Sequence, residues 1–218
     1  MVRPARRRRP VSSEDDQGTR RKVIDAAIRC ILEQGFYRAS SNAIAEAAGL
    51  SWGVIQYYFG SREALMLAVL DEGSQRLADA VSNAKIDADT VAGRLLQYSD
   101  IIHRYYGDSD YLAFEQVLLN LSQDPTTSEQ TRESMAKSSE AIKVEFQRLT
   151  DQLFAGTDIE GDSVIRGFPF HALRGMALSE LMLQTLPFND INESEVLERR
   201  RLLTEAVASM IEATGSPA

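Results

Sequence analysis

The chain has 218 residues, 44% hydrophobic side chains and a formal net charge of −8, which supplies a globular core and argues against a uniformly basic, nucleic-acid-coating protein. Its single cysteine, Cys30, excludes an intrachain disulfide and fits a reducing, cytoplasmic setting. No run approaches the roughly 18 apolar residues of a membrane span, and the polar stretch after Arg6-Arg7-Arg8-Arg9 is not the apolar core of a signal peptide, so no membrane partner is expected.

The charge is unevenly placed. Residues 1–62 hold eleven Lys and Arg against six acids, net +5, whereas residues 63–218 carry net −13. A basic end on an acidic body suits a polyanion at that end; a disordered basic tail is the bland alternative. Residues 1–17, with two prolines and five arginines, read as a flexible arm. Arg6, Arg7, Arg8 and Arg9 are either solvated or able to enter a DNA minor groove.

Val23, Ile24, Ala27, Ile28, Ile31 and Leu32 then repeat with helical spacing up to Gly35, with Cys30 at the edge of the apolar face. Two short helices follow. Ser40 or Ser41 caps the first, which runs to Ala48; Ser51 caps the second, which runs to about Phe59. Ile44, Ala45 and Ala48 face inward from the first, and Val54, Ile55 and Tyr58 or Phe59 from the second, with Gly49 and Leu50 at the turn. This is the arrangement a helix-turn-helix requires. Further helices are expected near 62–84, 90–106, 110–122, 127–154, 164–185 and 194–213. The chain thus reads as all-α, of about nine helices, with residues 18–62 as a DNA-binding unit and residues 63–218 as a helical ligand-binding and dimerisation unit.

The ordered set Gly35-Phe36, Ser40-Ser41-Asn42-Ala43-Ile44-Ala45-Glu46-Ala47-Ala48-Gly49-Leu50-Ser51 and Tyr57-Tyr58-Phe59-Gly60-Ser61-Arg62-Glu63-Ala64-Leu65 resembles the N-terminal signature of the TetR family of transcriptional regulators, over about residues 19–70. The resemblance implies a homodimeric regulator, usually a repressor released from its operator by a small molecule. It also implies phosphate contacts for Ser40, Tyr58 and Arg62. Trp52 and Gln56 depart from the family pattern, so the operator sequence cannot be borrowed from it.

The outward face of the second short helix carries Ser51, Trp52, Gly53, Gln56 and Tyr57, aimed at base edges if the helix enters a major groove. Trp52 is alternatively a core residue, and Gln56 is alternatively plain surface. Tyr98, His103, Tyr105, Phe114, Leu118, Phe146, Phe168, Phe170, His171 and Arg174 are the candidate lining of a mostly apolar effector pocket among helices 90–106, 110–122, 127–154 and 164–185. Each is alternatively ordinary core. The acidic body disfavours a large anionic effector. A two-fold dimer is expected through 164–185 and 194–213, using Ala172, Gly175, Met176, Ser179 and Leu183 with Leu197, Leu202, Leu203, Val207 and Met210. It would require a near-palindromic double-stranded operator. No Cys/His/Asp cluster with metal spacing and no phosphate loop or catalytic motif is present, so no metal, cofactor or enzymatic activity is expected. An activator or architectural protein without an effector is the first rival reading; a helical enzyme with a DNA-binding head is the second.

Overall fold

A computed structural model describes residues 13–159, 163–185 and 192–214. Among the described residues there are nine helices and no strand. The helix α1 (Ser13–Gln34) starts earlier than its apolar periodicity suggests, so the end of the segment read as an arm is helical. Its Val23, Ala26, Ala27, Ile28, Cys30 and Ile31 are buried. Gly35 stops it at φ 82°, a conformation that costs glycine little.

Short α2 (Ser41–Ala47) is capped by Ser40, whose hydroxyl accepts the Ala43 N–H at 3.2 Å. Gly49, at φ 61°, makes the turn into α3 (Trp52–Phe59). Ile44, Ala45 and Ala48 meet Ile55 and Phe59 in the core beneath that turn. Gly60 ends α3, and the Ser61 hydroxyl caps the long α4 (Arg62–Ser82).

Beyond α4 come α5 (Val91–Tyr106), α6 (Tyr111–Gln123), α7 (Glu129–Leu153), α8 (Ser163–Gln184) and α9 (Glu193–Thr214). The helix α4 packs on α1, α6 and α7, and α5 lies against α8 and α9. One apolar core runs continuously through both parts of the chain. The helices α4 and α6 approach closely at Gly73, where a Cβ would sit 2.7 Å from the Phe114 ring. Any larger residue there would force the two helices apart.

The dimer expectation needs one correction. Val207 is buried within the protomer, because it lies on the face of α9 turned to the core. The outer faces carry Phe168, Gly175, Ser179 and Met182 on α8 and Leu197 and Leu202 on α9, all exposed.

Candidate nucleic-acid interface and body cavity

The helix α3 is fixed by Ile55 and Phe59 on its inner side, and that register decides what its outer side presents. Ser51, Gly53, Gln56 and Tyr57 are exposed, with Tyr57 at 78%. The Tyr57 ring stands edge-on to Tyr58 with centroids 5.1 Å apart, which limits its freedom without covering it. The exposed Gln56 amide donates to the Gly60 carbonyl at 2.6 Å, closing its own helix end.

Three sequence expectations change. Trp52 is half-buried and packs against the core. Only part of its ring is available for contact. Tyr58 is also half-buried, and its hydroxyl donates to Asp16 of α1 at 2.6 Å, a bond that raises its pKa. Arg62 faces inward. Its Nη2 donates to the Phe36 carbonyl at 2.6 Å and its Nε to the Ala39 carbonyl at 3.3 Å. The guanidinium carbon lies 4.5 Å from the Phe36 ring centre, and burial lowers the arginine's pKa. Arg62 therefore clamps the α1–α2 loop and is not placed as a phosphate contact. Ser40 is exposed and spends its hydroxyl on the cap. Arg6, Arg7, Arg8 and Arg9 lie outside the described residues.

Two cations went unnoticed in the sequence reading. Lys22 is exposed, and its Nζ lies 3.9 Å from where a Cβ on Gly49 would be, beside the turn between α2 and α3. Arg38 is exposed just before the Ser40 cap. Neither has an ion-pair partner among the described residues. The Arg20-Arg21-Lys22 run was visible, but spacing alone did not say which of the three faces the turn. Arg21 is committed to Asp25 and Glu72, and Arg20 lies over the Phe59 ring at 4.6 Å.

A cavity of about 230 Å³ opens in the body, somewhat below the roughly 300–1,000 Å³ of pockets for drug-sized ligands. Tyr105, Phe114, Leu118 and Arg174 line it as expected. One whole wall was missed, because α4 contributes Leu67, Leu70, Gly73 and Leu77. The floor is a polar knot. Arg174 Nη2 donates to the Tyr111 hydroxyl at 2.9 Å, Tyr111 donates to Glu115, and Arg174 lies 3.7 Å from Glu115 and 5.0 Å from the Tyr106 ring centre. Burial pushes the Tyr106 hydroxyl up to about 12. Burial first, and then the bond to Glu115, raises Tyr111 as well. The phenols therefore stay neutral donors. Two lining carboxylates, Asp71 and Glu115, face one lining arginine.

Six expected pocket residues lie elsewhere. Tyr98 is fully buried in the core. Phe146 and Phe170 stack edge-on at 4.9 Å, and Phe170 also meets Tyr106 at 6.0 Å, which makes them a layer behind the wall. Phe168 and His171 lie on the outer face of α8 and are exposed. His103 Nδ1 lies 3.9 Å from Glu180 at the packing of α5 on α8. Burial raises the Glu180 carboxyl and lowers His103.

Residues 23–69 match the family model described as bacterial regulatory proteins, tetR family. The chain is 28% identical over 142 residues, 65% of its length and 71% of the relative's, to the HTH-type transcriptional repressor AcnR of Corynebacterium efficiens. It is 39% identical over 64 residues, 29% of its length and 33% of the relative's, to the HTH-type transcriptional regulator BetI of Escherichia coli. Its fold is shared with a transcriptional regulator from Rhodococcus sp. Rha1 at a TM-score of 0.64 and 15% identity, covering 91% of this chain and 98% of that one.

Proposed function

We propose, from the premise that this chain belongs to the tetR family of bacterial regulatory proteins, that it is a homodimeric transcriptional repressor released from its operator by a small hydrophobic effector. The observation that carries the reading is the outer face of α3. Tyr57 stands 78% exposed on a helix whose other side is locked into the core, and it does so in the basic part of an otherwise acidic chain. Aromatic and polar groups held this way suit base edges in a major groove, with cations beside them neutralising phosphates. Ser51, Gly53, Gln56 and Tyr57 read sequence, Trp52 contributes its open edge, and Lys22 and Arg38 replace Arg62 as phosphate contacts. The Arg6–Arg9 arm adds salt-dependent affinity, with a slope near 0.9 for each phosphate neutralised on duplex DNA.

The second copy covers the outer faces of α8 and α9, where Phe168, Met182, Leu197 and Leu202 are exposed and Gly175 has open space above it. Small residues beside large apolar ones permit close helix packing. The effector occupies the cavity above Arg174 and Tyr111. The excess of one carboxylate there favours a neutral or cationic end group on an apolar body. Residues 18–62 act as the reading unit and residues 63–218 as the sensing and dimerising unit.

The experiment is selection of duplexes from random-sequence DNA, followed by footprinting and sedimentation at micromolar protein. A near-palindrome with half-sites about one helical turn, or a multiple of it, apart, bound by a dimer, is expected. No enrichment above non-specific binding, or a monomer, would sink the reading.

A further inference from the structure

The loop between α1 and α2 is gripped by both helices that pinch the cavity at Phe114. From α6, the Gln116 side-chain oxygen accepts the Phe36 backbone N–H at 3.1 Å, across 80 residues of sequence. From α4, Arg62 holds the Phe36 and Ala39 carbonyls. Phe36 is buried, and Ser40, which follows Ala39, caps α2. A displacement of this loop is therefore a displacement of the first helix of the helix-turn-helix.

On the cavity side, Gln116 directly follows Phe114 and Glu115 and sits two residues before Leu118, all three lining the cavity. Phe114 presses on Gly73 of α4 with no room for a methyl group between them. Packed interiors do not deform smoothly. An occupant too large for the about 230 Å³ already open beside Phe114 pushes α6 against α4, and Phe36 is hydrogen-bonded to both, through its N–H to Gln116 and through its carbonyl to Arg62.

We propose that Gln116 is a positioning residue, which couples the spacing of α4 and α6 around the cavity to the seat of α2 through the Phe36 peptide. The proposal rests on the functional reading above. The two grips differ in kind. Arg62 holds through a planar fork on two carbonyls and a stacked ring. Gln116 holds through one neutral hydrogen bond, and such bonds weaken steeply with distance and angle. A small movement of α6 breaks the Gln116 bond while Arg62 keeps its own. The loop then has two discrete states, held from both sides or from α4 alone, which is the two-state element a coupling mechanism needs.

The test perturbs the cavity without a ligand. Gly73→Ala pushes Phe114 from α4, and Leu118→Trp fills cavity volume from α6, so the experiment survives if one variant fails to fold. Each is combined with Gln116→Leu. Affinity is measured for a duplex selected from random-sequence DNA, and amide exchange at Phe36 is followed in the same proteins. Each cavity substitution alone should weaken duplex binding roughly fivefold or more and speed Phe36 exchange about tenfold. In the Gln116→Leu background both responses should shrink to within about twofold. Gln116→Glu, which keeps an acceptor oxygen, should restore them. Additive effects across the cycle, or Phe36 exchange indifferent to the cavity, overturn the proposal. Should the unmodified protein select no duplex, the functional reading fails by itself, and the exchange data still decide the coupling.

Discussion

Tyr57 and Tyr106 both sit on amphipathic helices, yet one is 78% exposed and the other 6%. Tyr57 belongs to a surface made by one short helix, whose inner residues fix its register and leave its outer residues unconstrained by packing. Tyr106 belongs to a cavity walled by residues of five helices, where side chains such as Tyr106, Phe114 and Leu77 pack in the core as well as facing the opening. Substitutions of the first kind should change binding without changing stability, whereas those of the second kind should change both. Arg62 crosses the division, because it belongs to the DNA-binding part by sequence and to the core by contact.

The largest expected effect tests that crossing. Arg62→Met keeps the apolar stem but leaves the Phe36 and Ala39 carbonyls without their donor, at a cost of about 2–4 kcal/mol for a broken charge-assisted pair of bonds in a half-buried place. Chemical denaturation measures it. Arg62→Lys should recover little, since an ammonium lacks the fork that spans two carbonyls. Unchanged stability with weakened operator binding would return Arg62 to the DNA surface.

Next in size is a contrast within α3. Tyr57→Ala should weaken specific operator binding by about 1–3 kcal/mol and leave the thermal midpoint where it was. Trp52→Ala should lower both, because its ring also packs on the core. The comparison breaks if Tyr57→Ala destabilises the fold, or if Trp52→Ala leaves the midpoint untouched.

The smallest effect lies where the start of α4 meets the start of α7. Glu63, on the first turn of α4, accepts from the Ser128 and Thr131 hydroxyls at the start of α7, and those bonds hold its carboxyl below the ordinary value of 4.5. A depressed folded-state pKa contributes stability above the unfolded pKa and loses it as pH falls through the folded one. The difference in unfolding free energy between the protein and Glu63→Gln should thus be constant near neutral pH and shrink below about pH 4.5. Because the group is near the surface, it should stay under roughly 1 kcal/mol. A difference that persists at pH 3 would mean that the bonds do not depend on the charge.

The sequence by itself determined the helices, the cap of α2 and the helix-turn-helix. Those follow from neighbours three and four residues apart, from Ser40 as a cap and from glycines at positive φ, all of which are local, whereas Ser51, expected to cap α3, stands at its N-cap without a side-chain cap bond and Ser61 caps α4 unannounced. It also placed Tyr57 and Gln56 on an outer face, because a short amphipathic helix has only one other face to bury. The tertiary structure alone decided where Arg62 and Trp52 point, that α4 forms a cavity wall, and that Phe168 and His171 lie outside while Tyr105 and Arg174 line the cavity. The same 3.6-residue period describes a side chain that faces the core, a cavity or a second subunit. What separates them is which helix lies opposite, and the Phe36–Gln116 bond, spanning 80 residues, exists only once α1 and α6 have packed together.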